Sequence, residues 1–369
     1  MVDLRGKLPT AFSAVSEAFD KNFQEYDELG ASFCVIRDGE CLIDVHAGFR
    51  NKQKTEPWAD ETIACIFSSG KAVVAQLMGE AVTDGLFSYS DPVAAHWPGF
   101  AQNGKSEITI AQILSHQAGL PGFVDEIDPN DWLDWQKICT HIEVLSPLWP
   151  PGSESGYAPQ LFGFLAGEVY RRATGKTIGE AIAARTSDLF CGLPVNEQAR
   201  ASVMPKPKSA PDLGELNRYT KAAFLTPWSS PAKAARADWM AAQLPGSNMH
   251  ANARGLASFV HPLANDGVGV DGKRRLNANV IGEIFTPQCS GNDLVLPFEI
   301  TWGTGAMINE HLRYGPNPKA LGQSGFGGSA VVIDPDQRMT IAYVMNAMSP
   351  HLVADPRSLT LINAVYKSL

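Results

Sequence analysis

The sequence predicts an α/β protein of the α+β type: an antiparallel sheet built from N- and C-terminal strands, flanked by helices, with a mainly helical region inserted. Three observations lead there. Short strand-like apolar runs bounded by turn residues cluster towards the two ends of the chain. Between about residues 72 and 280 helical spacing dominates, broken by loops rich in proline and glycine. The 369 residues, 44% hydrophobic and 19% charged, are enough for a sizeable core, and show no internal repeat or low-complexity segment. The expected organisation is a sheet domain from residues 1–71 and 281–369, a helical region at 72–280, and a site between them.

Taken in order, Thr10 is placed to cap a helix carrying Phe12, Val15, Phe19 and Phe23 on one face. Residues 31–36 and 41–45 read as strands, joined by Asp38-Gly39, a pair suited to a tight hairpin. Residues 63–67 read as a strand running into Ser68, and 72–82 as a helix ending at Asp84-Gly85. Residues 161–174 form a helix stopped by Gly175, and 252–264 form another amphipathic helix. Residues 147–156 are irregular, and 204–214 form a long surface loop. Strands return at 303–308, 311–314, 329–334 and 339–346, a meander whose last turn is Pro335-Asp336. Asp355 caps a final helix with Pro356 at its first position and Leu359, Ile362, Val365 and Leu369 facing inward.

The bulk properties exclude several classes. A net charge of −9 and an isoelectric point of about 5.4 argue against a nucleic-acid or acidic-membrane binder. The start, Met1-Val2-Asp3-Leu4-Arg5-Gly6-Lys7, lacks an apolar signal core, and no later stretch is long enough to span a membrane, so a cytoplasmic protein is expected. Six scattered cysteines without a Cys-x-x-Cys pair, and eight histidines without ligand spacing, point to neither a disulfide frame nor a metal site. Nothing in the sequence sets an oligomeric state.

The chemistry centres on Phe67-Ser68-Ser69-Gly70-Lys71. A helix starting at Ser68 would put Ser68 and Lys71 one turn apart on one face. That sets a hydroxyl nucleophile beside an amine, at a helix N-terminus whose free N–H groups favour an anionic oxygen. The local pattern alone is matched by Ser230-Pro231-Ala232-Lys233, where Ser230 reads as a helix cap ahead of Pro231, and Ser68 could likewise be a cap beside a solvated lysine. Two later segments single out Ser68. One is Pro151-Gly152-Ser153-Glu154-Ser155-Gly156-Tyr157-Ala158-Pro159; the other is Gly322-Gln323-Ser324-Gly325-Phe326-Gly327-Gly328-Ser329.

With these segments in this order, most of the chain resembles the class C β-lactamase-like serine hydrolases, and especially the family VIII carboxylesterases. Ser68 to Lys71 matches the nucleophile motif. Ile113-Leu114-Ser115-His116-Gln117-Ala118-Gly119-Leu120-Pro121 is similar to the family's Leu-Leu-Ser-His-Thr-Ser-Gly-Leu stretch. Pro151 to Tyr157 resembles the segment that delivers the catalytic tyrosine, Thr174-Gly175-Lys176-Thr177 opens a familiar helix, and Gln323-Ser324-Gly325 occupies the place of Lys-Thr-Gly. The resemblance implies a β-lactamase/penicillin-binding-protein-like fold and a catalytic set of Ser68, Lys71 and Tyr157. It also implies an oxyanion hole from the backbone N–H groups of Ser68 and Phe326, with Gln323, Ser324 and Gly325 contacting substrate. Two positions depart from the family pattern. Pro159 stands where the tyrosine motif usually has asparagine, and Gln323 where the third motif has lysine or histidine. In β-lactamases of the family those groups orient the substrate's amide and carboxylate, so their replacement, like the missing secretion signal, favours an uncharged ester.

The expected function is hydrolysis of small, uncharged, short-acyl esters through an acyl-Ser68 intermediate. Ser68 needs its proton removed, either by Lys71 with a lowered pKa or by a Tyr157 phenolate stabilised by Lys71. Two backbone donors would hold the oxyanion, with Gly325, Gly327 and Gly328 letting the strand edge approach closely. Tyr157 would protonate the leaving alcohol, and no metal or organic cofactor is required. The alternatives are a β-lactamase or penicillin-binding-type peptidase, an acyltransferase to a small alcohol, and a non-catalytic binding protein with an old hydrolase pocket. His116 reads as a hydrogen-bonded structural residue, with a catalytic role as the lesser alternative. The Gly-x-Gly-x-x-Gly match at Gly267 to Gly272 lies in a polar loop without strand–turn–helix context, and no Gly-x-Ser-x-Gly elbow is present.

Overall fold

A computed structural model describes residues 2–231 and 234–369. Its strands are β1 (Arg5–Lys7), β2 (Gly30–Arg37), β3 (Glu40–Gly48), β4 (Ala64–Cys65), β5 (Leu189–Phe190), β6 (His250–Ala251), β7 (Cys289–Asn292), β8 (Glu299–Trp302), β9 (Met307–Ile308), β10 (Leu321–Ser324), β11 (Ala330–Asp334) and β12 (Met339–Met345). Nine of them form one antiparallel sheet in the order β1-β3-β2-β12-β11-β10-β9-β8-β7, and β4, β6 and β5 form a small second sheet. The two ends of the chain meet where β2 pairs with β12, from Arg37 opposite Met339 to Ala31 opposite Met345. The predicted hairpin is there: Asp38 and Gly39 have φ of 50° and 82°, the positive values that both central residues of a two-residue type I′ turn require.

Alternation along β2 and β12 feeds two cores. Phe33, Val35, Ile341 and Tyr343 lie under the helices Ser13–Glu25 and Pro356–Ser368. Cys34, Ile36, Ala342 and Val344 face a larger cluster that includes Leu256, Val260 and Leu263 of the helix Ala253–Ala264 and Val73, Val74 and Leu77 of the helix Lys71–Thr83. With both faces covered, β2 and β12 are buried along almost their whole length. The architecture is thus the expected one, a large antiparallel sheet flanked by helices. No helix of the described residues is long and apolar enough to cross a membrane.

Several local expectations are corrected. Thr10 caps nothing; Phe12 N–H bonds the Pro9 carbonyl at 2.9 Å, and the resulting 3₁₀ turn leads into the helix. The strand at 63–67 is only Ala64–Cys65, in the small sheet, because Phe67 turns to φ 42° and ends it. The segment at 303–308 is not one strand: Gly305, at φ 98°, turns the chain between β8 and β9, and Gly303 N–H bonds the Ala306 carbonyl. The expected strand at 311–314 is a 3₁₀ turn, Asn309–His311, closed by Leu312 in the left-handed region. There the Asn309 side chain takes the backbone partners that a strand would have supplied, binding Tyr314 N–H and the carbonyls of Gly315 and Asn317. On the last helix Asp355 caps as expected, but the inward face is Leu361, Ile362 and Val365; Leu359 is half-buried and Leu369 is exposed. Ser230 caps no helix either: the next one, Arg236–Ala241, has Ala235 at its N-cap, and Lys233 lies outside the described residues.

Candidate active site

The stretch around Ser68 begins as a 3₁₀ turn, Phe67–Gly70, and becomes an α-helix only at Lys71. The turn forms because Ser69 N–H bonds the Ile66 carbonyl at 3.1 Å, directly after the sharp backbone at Phe67. A left-handed φ is costly for a bulky residue without glycine's freedom, and such strain persists only where surrounding structure enforces it. Ser68 is left half-buried, while Lys71 is fully buried.

Among the described residues Ser68 Oγ has two polar neighbours. Lys71 Nζ lies 3.0 Å away and the Tyr157 hydroxyl 2.5 Å away. Lys71 Nζ also donates to the carbonyls of Pro159, at 3.0 Å, and Gly246, at 2.9 Å. Burial strips the ammonium of water and pushes Lys71 down to about 7. Burial pushes the Tyr157 phenol well up from its ordinary value, only partly opposed by its bond to Ser68. A neutral Lys71 has two N–H bonds and one lone pair. Two carbonyls take the N–H bonds, which leaves the lone pair for the Ser68 hydroxyl proton. The arrangement therefore pairs an amine able to accept a proton with a phenol that retains its own.

Tyr157 is held from several directions. Its backbone N–H donates to Asp293 Oδ1 at 3.0 Å, and the same oxygen accepts from Val295 and Leu296 N–H. Ser155 Oγ binds Asp293 Oδ2 at 3.1 Å. The Trp302 ring stacks parallel to the Tyr157 ring with centroids 6.0 Å apart. His116 is structural, as expected: its Nδ1 accepts from Ala158 N–H at 3.1 Å, its carbonyl accepts from Gly156 N–H, and its ring packs on Tyr157 and Trp302. Burial first, then the nearby Lys71 charge, hold His116 well below its usual value, so it is neutral. A cavity of about 330 Å³ opens beside the Asp293 turn, but Ser68 is not among its walls.

The third segment lies across from Ser68. Only Leu321 and Gly322 of β10 pair with β9, so Gln323 and Ser324 have a strand neighbour on the β11 side alone. A bridge of hydroxyls joins this edge to the Ser68 turn. Ser69 Oγ binds the Gln323 carbonyl at 3.3 Å and Ser329 Oγ at 3.0 Å, and Ser329 Oγ donates to the Ile66 carbonyl at 2.8 Å. A Cβ on Gly325 would sit 2.1 Å from the Ile66 carbonyl oxygen, so only glycine permits this approach. Among the described residues, neither Ser68 N–H nor Phe326 N–H donates to a backbone carbonyl. The Phe326 ring is exposed and meets Phe67 edge-on at 5.7 Å, with Trp239 tilted 6.5 Å from Phe67. Gln323 is buried, and its Oε1 has no partner among the described residues. Ser324 Oγ donates to the Tyr314 hydroxyl at 3.1 Å.

Sequence reasoning missed Ser69, Ser329, Asp293 and Gly246. Pro245-Gly246 is a recognisable turn signal, but nothing local tells that its carbonyl grips Lys71. A Cβ at Gly246 would meet Lys71 Cγ at 2.8 Å.

The sequence model of the Beta-lactamase family matches residues 19–364. A crystal structure of a penicillin-binding protein homologue from Caulobacter crescentus shares 43% identity, covers both chains completely and superposes with a TM-score of 0.96. A family VIII carboxylesterase structure shares 34% identity, again over both full chains, with a TM-score of 0.93. The esterase/β-lactamase LipL of Mycobacterium tuberculosis is 28% identical over 95% of this chain and 85% of its own length. The chain therefore belongs to the Beta-lactamase family and is a hydrolase of the esterase and β-lactamase fold.

Proposed function

We propose that the protein is a serine carboxylesterase that hydrolyses small, uncharged esters through an acyl-Ser68 intermediate. The observation that carries this reading is the position of Ser68 Oγ between Lys71 Nζ and the Tyr157 hydroxyl, 3.0 and 2.5 Å away. Neutral Lys71 takes the Ser68 proton as Oγ attacks the ester carbonyl. The N–H groups of Ser68 and Phe326 hold the oxyanion. As the tetrahedral intermediate collapses, the C–O bond to the alcohol breaks and Tyr157 gives its proton to the leaving oxygen. Lys71, now protonated, restores the proton to Tyr157. Water then attacks the acyl carbon as neutral Lys71 takes its proton; the C–Oγ bond breaks, Tyr157 gives its proton to Ser68 Oγ, and Lys71 re-protonates Tyr157, which releases the acid and free Ser68.

The uncharged substrate is supported by Gln323, a buried neutral side chain where the family motif has lysine or histidine, and by the aromatic surroundings of Phe67, Phe326 and Trp239. Pro159 contributes through its carbonyl, which holds Lys71, rather than through a side chain directed at substrate. Kinship with a penicillin-binding protein homologue favours a second reading, attack on a β-lactam or peptide. One experiment separates them. Wild type and Ser68→Ala are assayed with short-chain p-nitrophenyl esters and with nitrocefin, and the acyl-enzyme is sought by intact-protein mass spectrometry. Ester turnover lost by several orders of magnitude in Ser68→Ala is expected. Full ester activity in Ser68→Ala rejects the site, and nitrocefin turnover matching ester turnover rejects the uncharged-ester preference.

A further inference from the structure

We propose that Arg357 is a positioning residue for the oxyanion hole, acting on the Phe326 N–H through two successive peptide groups. The inference rests on the assignment of Phe326 as an oxyanion donor, made above. Arg357 sits on the last helix, remote in sequence, with its side chain 2% exposed. Its Nη2 donates to the Gly327 carbonyl at 2.8 Å and its Nη1 to the Ala347 carbonyl at 2.7 Å. Nε and Nη2 grip Asp355 at 3.0 and 2.8 Å, and Glu28 lies 3.3 Å from Nη1.

The path to Phe326 runs through planar peptides. The Gly327 carbonyl shares its peptide group with the Gly328 N–H. That N–H donates to the Gly325 carbonyl at 3.0 Å. The Gly325 carbonyl shares its peptide group with the Phe326 N–H. Turning either plane turns the Phe326 N–H, so a group that fixes the first plane fixes the donor. A segment with glycines at 325, 327 and 328 cannot hold such an orientation by itself, because glycine ranges widely in φ and has no side chain to pack. Gly327 and Gly328 stand at φ 95° and 124°. Ser349 N–H also binds the Gly327 carbonyl, at 2.9 Å, but as a neutral donor.

Charge adds to the geometry. The guanidinium is always protonated and is out of water, where its attraction for a carbonyl oxygen is strong. Hydrogen bonds in a chain polarise one another, and this chain directs its last N–H dipole towards the place where negative charge develops. Space for the guanidinium is reserved: a Cβ on Gly328 would lie 2.4 Å from Arg357 Nη2 and 2.5 Å from Asp355 Oδ2. Burial of an arginine with two carboxylates gives little net stability over an apolar side chain of similar size; the oxyanion hole gives the charge a use.

The test compares Arg357→Met and Arg357→Lys with wild type. The readouts are kcat and KM for a p-nitrophenyl ester and the inhibition constant of an aryl trifluoromethyl ketone. Ser68 adds to that ketone to form an oxyanion, so its affinity reports the hole. For Arg357→Met, kcat is expected to fall about 10-fold, a fraction of the roughly 10²–10³-fold cost of deleting a whole donor. KM should stay within about twofold, and ketone affinity should fall in parallel with kcat. Arg357→Lys, which keeps the cation, should lie between. If Arg357→Met does not fold, Arg357→Lys decides alone by the same parallel loss. Glu28→Gln leaves the contacts to Gly327 and Asp355 in place and should keep kcat within about twofold of wild type. Folded Arg357 variants with wild-type kcat and ketone affinity overturn the proposal, as does a Glu28→Gln loss equal to that of Arg357→Met. Ser68→Ala is run alongside: activity there rejects the site itself, whereas an inactive Ser68→Ala with unaffected Arg357 variants rejects only the relay.

Discussion

Burial is what moves Lys71. Among the described residues its polar neighbours are a hydroxyl and two carbonyls, none of them charged, so lost hydration opposes protonation with no counter-ion there to offset it. The sign for activity follows. Below the Lys71 pKa the amine is protonated and cannot accept the Ser68 proton; above it the lone pair is free. The ratio kcat/KM should therefore rise about tenfold per pH unit on the acid side and level off above a pH of about 7. Tyr157→Phe should lower kcat roughly 10²–10⁴-fold, the range for a lost general acid, yet leave that acid limb in place. A flat profile between pH 5 and 9, roughly the span a pKa near 7 must cross, or a limb that vanishes in Tyr157→Phe, would assign the base elsewhere. At this scale the sequence was most informative. Ser68 and Lys71 were legible from a motif of fixed short spacing and Tyr157 from the family resemblance of its segment, and the structure brings all three into contact. The choice of base was not legible, because a pKa depends on burial, and burial depends on residues far away in the chain.

The Asp293 turn shows what an irregular element can do. One carboxylate oxygen accepts three backbone N–H bonds, from Tyr157, Val295 and Leu296, while the other meets Ser155 and Trp302 Nε1. Asp293→Ala would leave those buried donors unmet and should cost about 3 kcal/mol, read as a lower urea midpoint, with kcat reduced as Tyr157 loosens. Asp293→Asn keeps an oxygen for the three N–H groups but turns an amide towards the Trp302 donor. It should lie between wild type and alanine; equal stability of all three would show that the turn does not depend on this carboxylate. Nothing in Asn292-Asp293-Leu294 marks it as a clamp for a tyrosine far earlier in the chain. Helices were easier to read. The predicted stop at Gly175 is a left-handed C-cap at φ 72°, and Thr177 opens the next helix with a capping box to Glu180. Short strands were harder: β1 and β7 were not anticipated, and the segment at 311–314 is a turn, because pairing at a sheet edge depends on the partner strand rather than on local pattern.

At the scale of the molecule, the main sheet is a joint between chain ends. β12 lies between β2 and β11, so the centre of the sheet exists only when both terminal portions are present. A chain ending before β10 would leave one edge of β2 unpaired and strip the first helix of the last helix that packs against it. Such a truncation should show no cooperative thermal unfolding by circular dichroism, whereas a sharp transition would mean that the N-terminal portion is an independent unit. The same topology places Arg357, near the end of the chain, against the glycine loop that lies across from Ser68.

The sequence by itself determined the fold class, the hairpin at Asp38-Gly39, the long helices and the family, because these rest on local periodicity, turn chemistry and ordered motifs. Tertiary structure alone decided how the site is held. The carbonyls of Pro159 and Gly246 around Lys71, the carboxylate of Asp293 beneath Tyr157 and the guanidinium of Arg357 behind the glycine turn each join residues distant in sequence. Backbone carbonyls have no side-chain identity to read, and a single buried charge has no period; only the folded chain shows which atoms they meet.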